Sequence, residues 1–168
     1  MTDTVVHTVI ATPVGPLAIG ACERGLTSIR FGAGEGDAVC GNAGDHRLLD
    51  MTVRQLDEYF SGSRRDFDLP LMLKGTGFQM EVWRLLMDIP YGATISYGEL
   101  ARRLGNPGAV RAVGLANNRN PLPIVVPCHR VIGADGSLTG YGGGLAIKEA
   151  LLALEGSLKS SPQMSLFG

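Results

Sequence analysis

The stretch SYGELARRLGNPGAVRAVGLAN, residues 96–117, decides how this chain is read. Ser96 followed three residues later by Glu99 is a capping box, in which each side chain satisfies the other residue's exposed amide, and it opens a helix to Leu104. Gly105-Asn106-Pro107 makes a turn, and a second short helix runs from about Gly108 to Asn117. Two helices joined by a tight turn form a helix-turn-helix candidate. Charge favours a nucleic-acid role. Residues 84–131 hold six arginines (Arg84, Arg102, Arg103, Arg111, Arg119, Arg130), no lysine and two acids (Asp88, Glu99), a local balance of +4. Ala109, Ala112, Gly114 and Ala116 are small enough to let the second helix approach a duplex. Close helix packing accounts for them equally, and both readings stand at this point.

Upstream, Thr76 caps a predicted helix through Asp88, with Phe78, Val82, Leu85 and Leu86 on its apolar side and Pro90 and Gly92 as its stop. Downstream comes Asn120-Pro121-Leu122-Pro123-Ile124-Val125-Val126-Pro127-Cys128-His129-Arg130-Val131. The apolar, proline-bounded run predicts a buried extended segment that delivers Cys128 into a low-water pocket. A lone cysteine is most often a small buried hydrophobe. Here two potential cations, His129 and Arg130, follow it, and nearby positive charge lowers a thiol pKa toward the nucleophilic thiolate. Glu155 sits just before Gly156 at a predicted helix end, near the negative pole of the helix dipole, and so requires a partner. Cysteine, histidine and glutamate together follow the logic of nucleophile, base and orienter.

The chain's 168 residues fit one domain or two small ones, and 45% hydrophobic with 18% charged residues describes a globular protein. The net charge of −1 hides a split: residues 1–70 carry 6 Lys+Arg against 10 Asp+Glu, and residues 71–168 carry 9 against 6. Any polyanion partner should therefore meet the second half, and the whole-chain balance argues against simple histone-like electrostatic coating of nucleic acid. Short apolar runs and an N-terminus without a basic, then apolar, leader predict neither a membrane span nor a signal peptide, hence a cytoplasmic protein. Three cysteines (Cys22, Cys40, Cys128) suit reduced thiols rather than a disulfide framework. Val5–Thr12 and Leu17–Cys22 read as a hairpin across Pro13-Val14-Gly15-Pro16, and Leu26–Phe31 as a third strand. Gly32–Gly44 reads as an exposed glycine-rich loop. Asp45 is the expected cap of a helix that buries Leu49, Val53, Leu56 and Phe60.

Pro127-Cys128-His129-Arg130-Val131 resembles the active-site signature of the O6-alkylguanine-DNA alkyltransferases, the methylated-DNA-protein-cysteine methyltransferases, of bacterial type. The resemblance runs from about Thr76 to Gly156. It includes Phe78-Gln79, Val82-Trp83, Ile89-Pro90-Tyr91-Gly92, Ser96-Tyr97, the Gly105-Asn106-Pro107 turn, Arg111-Ala112-Val113-Gly114, Asn120-Pro121, Tyr141 with Gly143-Gly144, and Glu155-Gly156. It implies an α+β chain: a small N-terminal α/β, RNase H-like domain (1–75), a mostly helical winged helix-turn-helix alkyltransferase domain (76–157) and a flexible tail (158–168). The first half resembles the family by layout rather than by motif. One departure is Asn118, where many members carry glycine; asparagine tolerates left-handed backbone better than other non-glycine residues.

The implied reaction is single-turnover and irreversible. Cys128, deprotonated through a water relay to His129 with Glu155 orienting the imidazole, attacks the alkyl carbon on guanine O6, and Tyr97 protonates the leaving guanine. The base must first leave the stack. In the resemblance, the second helix enters the minor groove and Arg111 fills the space of the flipped nucleotide. Ala109, Ala112, Gly114, Arg119 and Tyr97 would also contact the DNA. Asn120 would fix the loop behind the cysteine, with Pro123, Val131, Tyr141, Gly142, Gly143 and Gly144 shaping the pocket. The partner is double-stranded DNA containing alkylated guanine, O4-alkylthymine is a second candidate substrate, and the protein is expected to act as a monomer. The chemistry requires no metal or organic cofactor, and Cys22, Cys40, His7 and His46 match no compact zinc spacing. Gln163, Leu166 and Phe167 in the tail resemble the short peptide by which bacterial proteins dock on the replisome's sliding clamp. Two other functions compete: a non-enzymatic alkyltransferase-like lesion binder, against which Cys128 speaks, and a cysteine hydrolase, for which neighbours on an extended segment point the wrong way.

Overall fold

The structure is a computed structural model, and it describes residues 4–32, 46–141 and 143–158. Two compact units meet in sequence between Leu73 and Lys74. In the first, β1 (Val6–Ile10), β2 (Leu17–Cys22) and β3 (Gly25–Phe31) form an antiparallel sheet in that order. Every residue of the central β2 is buried. The first turn is held by Thr12, whose hydroxyl donates to Gly15 O at 2.6 Å.

Helix α1 (Arg47–Phe60) completes this unit. Asp45 lies outside the described residues, as does the glycine-rich stretch 33–44. The cap is His46, whose Nδ1 accepts from Leu49 N. The buried face is turned from the expected one: Leu49 and Leu56 are in it, but Thr52, Gln55 and Tyr59 replace Val53 and Phe60. Polar groups are tolerated there because they are paired. Thr52 Oγ1 donates to Leu48 O at 2.8 Å, and the Gln55 amide exchanges two hydrogen bonds with the Asp68 backbone.

The second unit is mostly helical. Its elements are α2 (Gly77–Met87), β4 (Ile95–Ser96), α3 (Tyr97–Arg103), α4 (Val110–Asn118), a 3-10 turn (Cys128–Arg130), β5 (Val131–Ile132) and α5 (Leu145–Leu154). Thr76 caps α2 in a full capping box with Gln79. The apolar side of α2 is Val82, Trp83 and Leu86, with Phe78 and Leu85 only half-buried. Trp83 Nε1 donates to Ala116 O at 2.9 Å, which ties the end of α4 to α2. Ser96 caps α3 by accepting from Glu99 N, but the expected reciprocal bond is not made. Ser96 is strand-paired to Ile132, and the Glu99 carboxylate instead binds Arg102 and Arg103. Helix α4 starts two residues later than expected, after Ala109, with no side-chain cap. Among the described residues no helix is long and apolar enough to cross a membrane.

Candidate active site

The segment leading to Cys128 is not extended. Leu122–Val126 is a turn closed by Val126 N donating to Leu122 O at 2.8 Å, and Ile124 sits at φ 75°, a strained position for a β-branched residue. Pro121, Pro123 and Pro127 lack N–H donors, so the segment cannot complete a strand ladder. Asn120 holds it instead: its Nδ2 donates to Val126 O at 2.7 Å and its Oδ1 accepts from Leu122 N at 2.9 Å. Pro123 is buried in this turn. Cys128 then starts the 3-10 turn at the floor of the site, 4% exposed.

The cations after the cysteine do not serve the thiol as expected. Arg130 donates from Nε to Glu155 Oε1 at 2.8 Å, from Nη2 to Glu155 Oε2 at 3.0 Å and from Nη1 to Ile89 O. His129 Nε2 lies 2.8 Å from Glu155 Oε2, both side chains fully buried. Glu155 caps the C-terminus of α5, and the partner its position requires is this pair. Burial works to raise its pKa, but the bonds and charges of His129 and Arg130 hold it at about 2. Burial lowers the His129 pKa against the pull of Glu155, so the imidazole is neutral. With Nε2–H given to the carboxylate, Nδ1 carries the free lone pair, and it is buried with no protein hydrogen-bond partner.

Burial pushes the Cys128 thiol up; the Asn120 side chain, the Lys148 charge and the Tyr141 hydroxyl pull the other way. The resting thiol is therefore protonated, which corrects the expectation of a ready thiolate: the positive neighbour is Lys148, not Arg130. Sequence reasoning missed this lysine. It is fully buried on α5, donates to Thr139 O at 2.9 Å and lies 3.5 Å from the Tyr97 hydroxyl. Its Nζ also stands 5.7 Å from the Tyr97 ring centroid, within cation–π range. Burial brings its pKa down to about 8. The signal was present in sequence, since Lys148 falls in phase with Leu151 and Leu152 on an apolar helix.

Tyr97, the first residue of α3, donates its hydroxyl to Thr139 O at 2.9 Å, so one carbonyl receives both Tyr97 and Lys148. Burial pushes the phenol pKa up; hydrogen bonds with Thr139 and Asn117 oppose this, and the neighbouring cysteine charge adds to it. Val131 is fully buried in β5, and Tyr141 and Gly143 are half-buried beyond Thr139; Gly142 lies outside the described residues. On α4, Arg111, Ala112, Leu115, Asn118 and Arg119 share the exposed face, while Ala109 at the cap is half-buried. Gly114 turns toward the site instead: a Cβ there would lie 3.9 Å from Tyr97 Cδ1. The clamp-like Gln163, Leu166 and Phe167 lie outside the described residues, as does Cys40.

A helix-turn-helix with an arginine on its open face, and behind it a buried cysteine flanked by a base pair and a phenol, defines a class of nucleic-acid-facing proteins that carry their own nucleophile. The comparisons make that class specific. Residues 77–157 match the DNA binding domain of 6-O-methylguanine DNA methyltransferase, and residues 5–73 match its ribonuclease-like domain. The chain belongs to the 6-O-methylguanine DNA methyltransferase family. A methylated-DNA–protein-cysteine methyltransferase of Methanosarcina acetivorans is 48% identical over 153 residues, covering 90% of this chain and 98% of the relative. The Mycobacterium tuberculosis protein of the same name is 48% identical over 159 residues, covering 94% and 96%. A crystal structure of Mycobacterium tuberculosis OGT in complex with DNA superposes with a TM-score of 0.81 at 46% identity, covering 96% of this chain and 99% of that one.

Proposed function

We propose that this protein repairs alkylated DNA directly, moving the alkyl group from O6 of guanine to Cys128 in one irreversible event per molecule. The observation that carries this reading is the connected set Cys128, His129, Glu155, Tyr97 and Lys148, set behind α4 in a chain of this family.

His129 Nδ1 takes the thiol proton, relayed by water, because Glu155 holds the opposite ring nitrogen as a donor. The sulfur lone pair forms the S–C bond as the C–O6 bond breaks, and the electron pair leaves with guanine, which takes a proton from the Tyr97 hydroxyl. In the free protein that hydroxyl is given to Thr139 O; the incoming base replaces this acceptor. Lys148 balances the thiolate before transfer and the phenolate after it. A thiol that burial keeps protonated at rest and that ionises only with a base in place is protected from adventitious oxidation. The thioether product has no hydrolytic exit, so each chain acts once and the alkylated form is inactive.

Arg111 is exposed on the open face of α4 and is assigned the space vacated by the flipped nucleotide. Ala109, Ala112 and Arg119 complete the minor-groove surface, with Arg119 meeting phosphate, while Gly114 faces Tyr97 and lets the helix pack close to it. A chemistry that needs a reduced thiol suits the cytoplasm and a monomer working alone. The terminal Gln163, Leu166 and Phe167 are assigned to docking on the sliding clamp, which would bring repair to newly replicated DNA.

The test is incubation with a duplex oligonucleotide containing O6-methylguanine, followed by peptide mass spectrometry. One added CH2 is expected on the peptide containing Cys128 and none on those with Cys22 or Cys40, with Cys128→Ser binding the duplex without reacting. Continued turnover beyond one equivalent, or modification elsewhere, rejects the reading.

A further inference from the structure

The turn Ile89-Pro90-Tyr91-Gly92 follows α2, and no step of the reaction above uses it. Ala93 N donates to Pro90 O at 3.0 Å, and Gly92, at φ 86°, supplies the left-handed position that this turn requires. Its contacts converge on Arg130 and the end of α5. Ile89 O accepts from Arg130 Nη1 at 2.6 Å. The carbon Cζ of the same guanidinium lies over the Tyr91 ring, 5.7 Å from its centroid and within cation–π range. The Tyr91 hydroxyl donates to Leu154 O at 3.2 Å, one residue before Glu155, and a Cβ on Gly92 would lie 3.3 Å from Glu155 O.

This placement bears on the base because one carboxylate oxygen has two duties. Glu155 Oε2 is 2.8 Å from His129 Nε2 and accepts from Arg130 Nη2 at 3.0 Å, while Oε1 accepts from Arg130 Nε at 2.8 Å. A guanidinium that tilts therefore draws Oε2 away from the imidazole. The paired hydrogen bonds to Glu155 favour a common plane. Ile89 O holds the edge of the guanidinium in that plane, and the Tyr91 ring covers its face. An aliphatic side chain would fill the space beside Arg130, but it has neither the negative ring face that attracts the cation nor a hydroxyl for a carbonyl at the helix end.

We propose that Tyr91 is a positioning residue for the deprotonation of Cys128. Its ring fixes the tilt of the Arg130 guanidinium, the guanidinium fixes the Glu155 carboxylate, and the carboxylate holds His129 Nε2 as a donor so that Nδ1 is left to take the proton. Arg130 is 6% and Glu155 5% exposed, so water screens the contact little. The inference rests on His129 as the base and extends that assignment to a residue that touches neither the thiol nor the substrate.

The experiment replaces Tyr91 by leucine, by phenylalanine and by mono-, di- and trifluorophenylalanine. Each variant is measured for single-turnover transfer from duplex containing O6-methylguanine, at a temperature where it is fully folded. Tyr91→Leu should slow transfer about 2- to 30-fold, the range to which a cation–π contact corresponds, with duplex affinity unchanged. Tyr91→Phe should recover most of the loss, because the ring stays. Each added fluorine withdraws charge from the ring face at nearly constant shape and should lower the rate stepwise, a series that decides the matter even if the leucine variant folds poorly. In a Glu155→Gln background Tyr91→Leu should cost nothing further. A rate indifferent to fluorine, or an equal fold-loss from Tyr91→Leu in both backgrounds, overturns the inference while leaving Glu155 and His129 in their roles. A wild-type rate for folded Glu155→Gln removes the base assignment and the inference with it, while methylation of Cys128 would still stand.

Discussion

Replacing Glu155 by glutamine should cost this protein stability at neutral pH, and much of the acid-dependence of that stability, along with its repair activity. The carboxylate ionises at about 2 in the folded chain against an ordinary value of 4.5. That difference adds about 3 kcal/mol to folding at neutral pH, since each pKa unit corresponds to about 1.4 kcal/mol. The sign follows from proton binding. The unfolded chain binds the proton first, so the contribution is complete above about pH 4.5 and is lost as pH falls through about 2. Glutamine keeps the shape but leaves the Arg130 guanidinium, 6% exposed, without its counter-charge; removing one partner of a buried pair costs about 3–5 kcal/mol. For a chain of this length the melting temperature should fall by about 6–20 °C at pH 7. Below about pH 4.5 the gap should narrow, because the unfolded chain takes up the proton first, and it should close only near pH 2, where the folded carboxylate loses its charge. The amide can also donate to His129 Nε2, which moves the imidazole proton to Nδ1 and takes away the lone pair assigned to the thiol proton; repair should drop at least about 100-fold at a temperature where the variant is fully folded. Thermal melts of both proteins between pH 7 and pH 2.5, with single-turnover repair on the same samples, test this. Parallel stability curves for the two proteins across that range would refute the reasoning, as would a folded Glu155→Gln variant repairing at the wild-type rate.

Two further outcomes are expected. Lys148→Met should stabilise the protein, because a lysine held at about 8 instead of 10.5 opposes folding by up to about 3 kcal/mol wherever it is protonated; the same variant should slow transfer and lose the decline in rate that the wild type shows above pH 8. A thermal melt paired with a rate profile checks both, and a destabilised variant with an unchanged profile counts against the assigned role. Deleting residues 162–168 should abolish binding to the sliding clamp in a titration while leaving repair of a short duplex intact; undiminished clamp affinity ends the docking assignment.

Much of the site's membership was legible in sequence because it depends on local chemistry. Turn residues at Gly105-Asn106-Pro107 separate the two helices, Thr76 and Ser96 cap theirs, and the Pro127–Val131 signature marks the nucleophile. Electrostatics was less legible. Arg130 looked like a neighbour of the thiol by adjacency, but in space it belongs to Glu155, 25 residues away. The turn at Ile124 was hidden because an apolar run bounded by prolines reads as a strand until its hydrogen bonds are known.

By itself, the sequence determined where α2 and α3 begin and that the second half is the basic one, and it named the residues to which the chemistry is assigned, since each of these follows from side-chain type and near-neighbour spacing. Tertiary structure alone decided their states of charge. Burial sets the desolvation that keeps Cys128 protonated, His129 neutral and Lys148 at about 8, and it depends on packing between α3, α4, the 3-10 turn and α5 that no local spacing records.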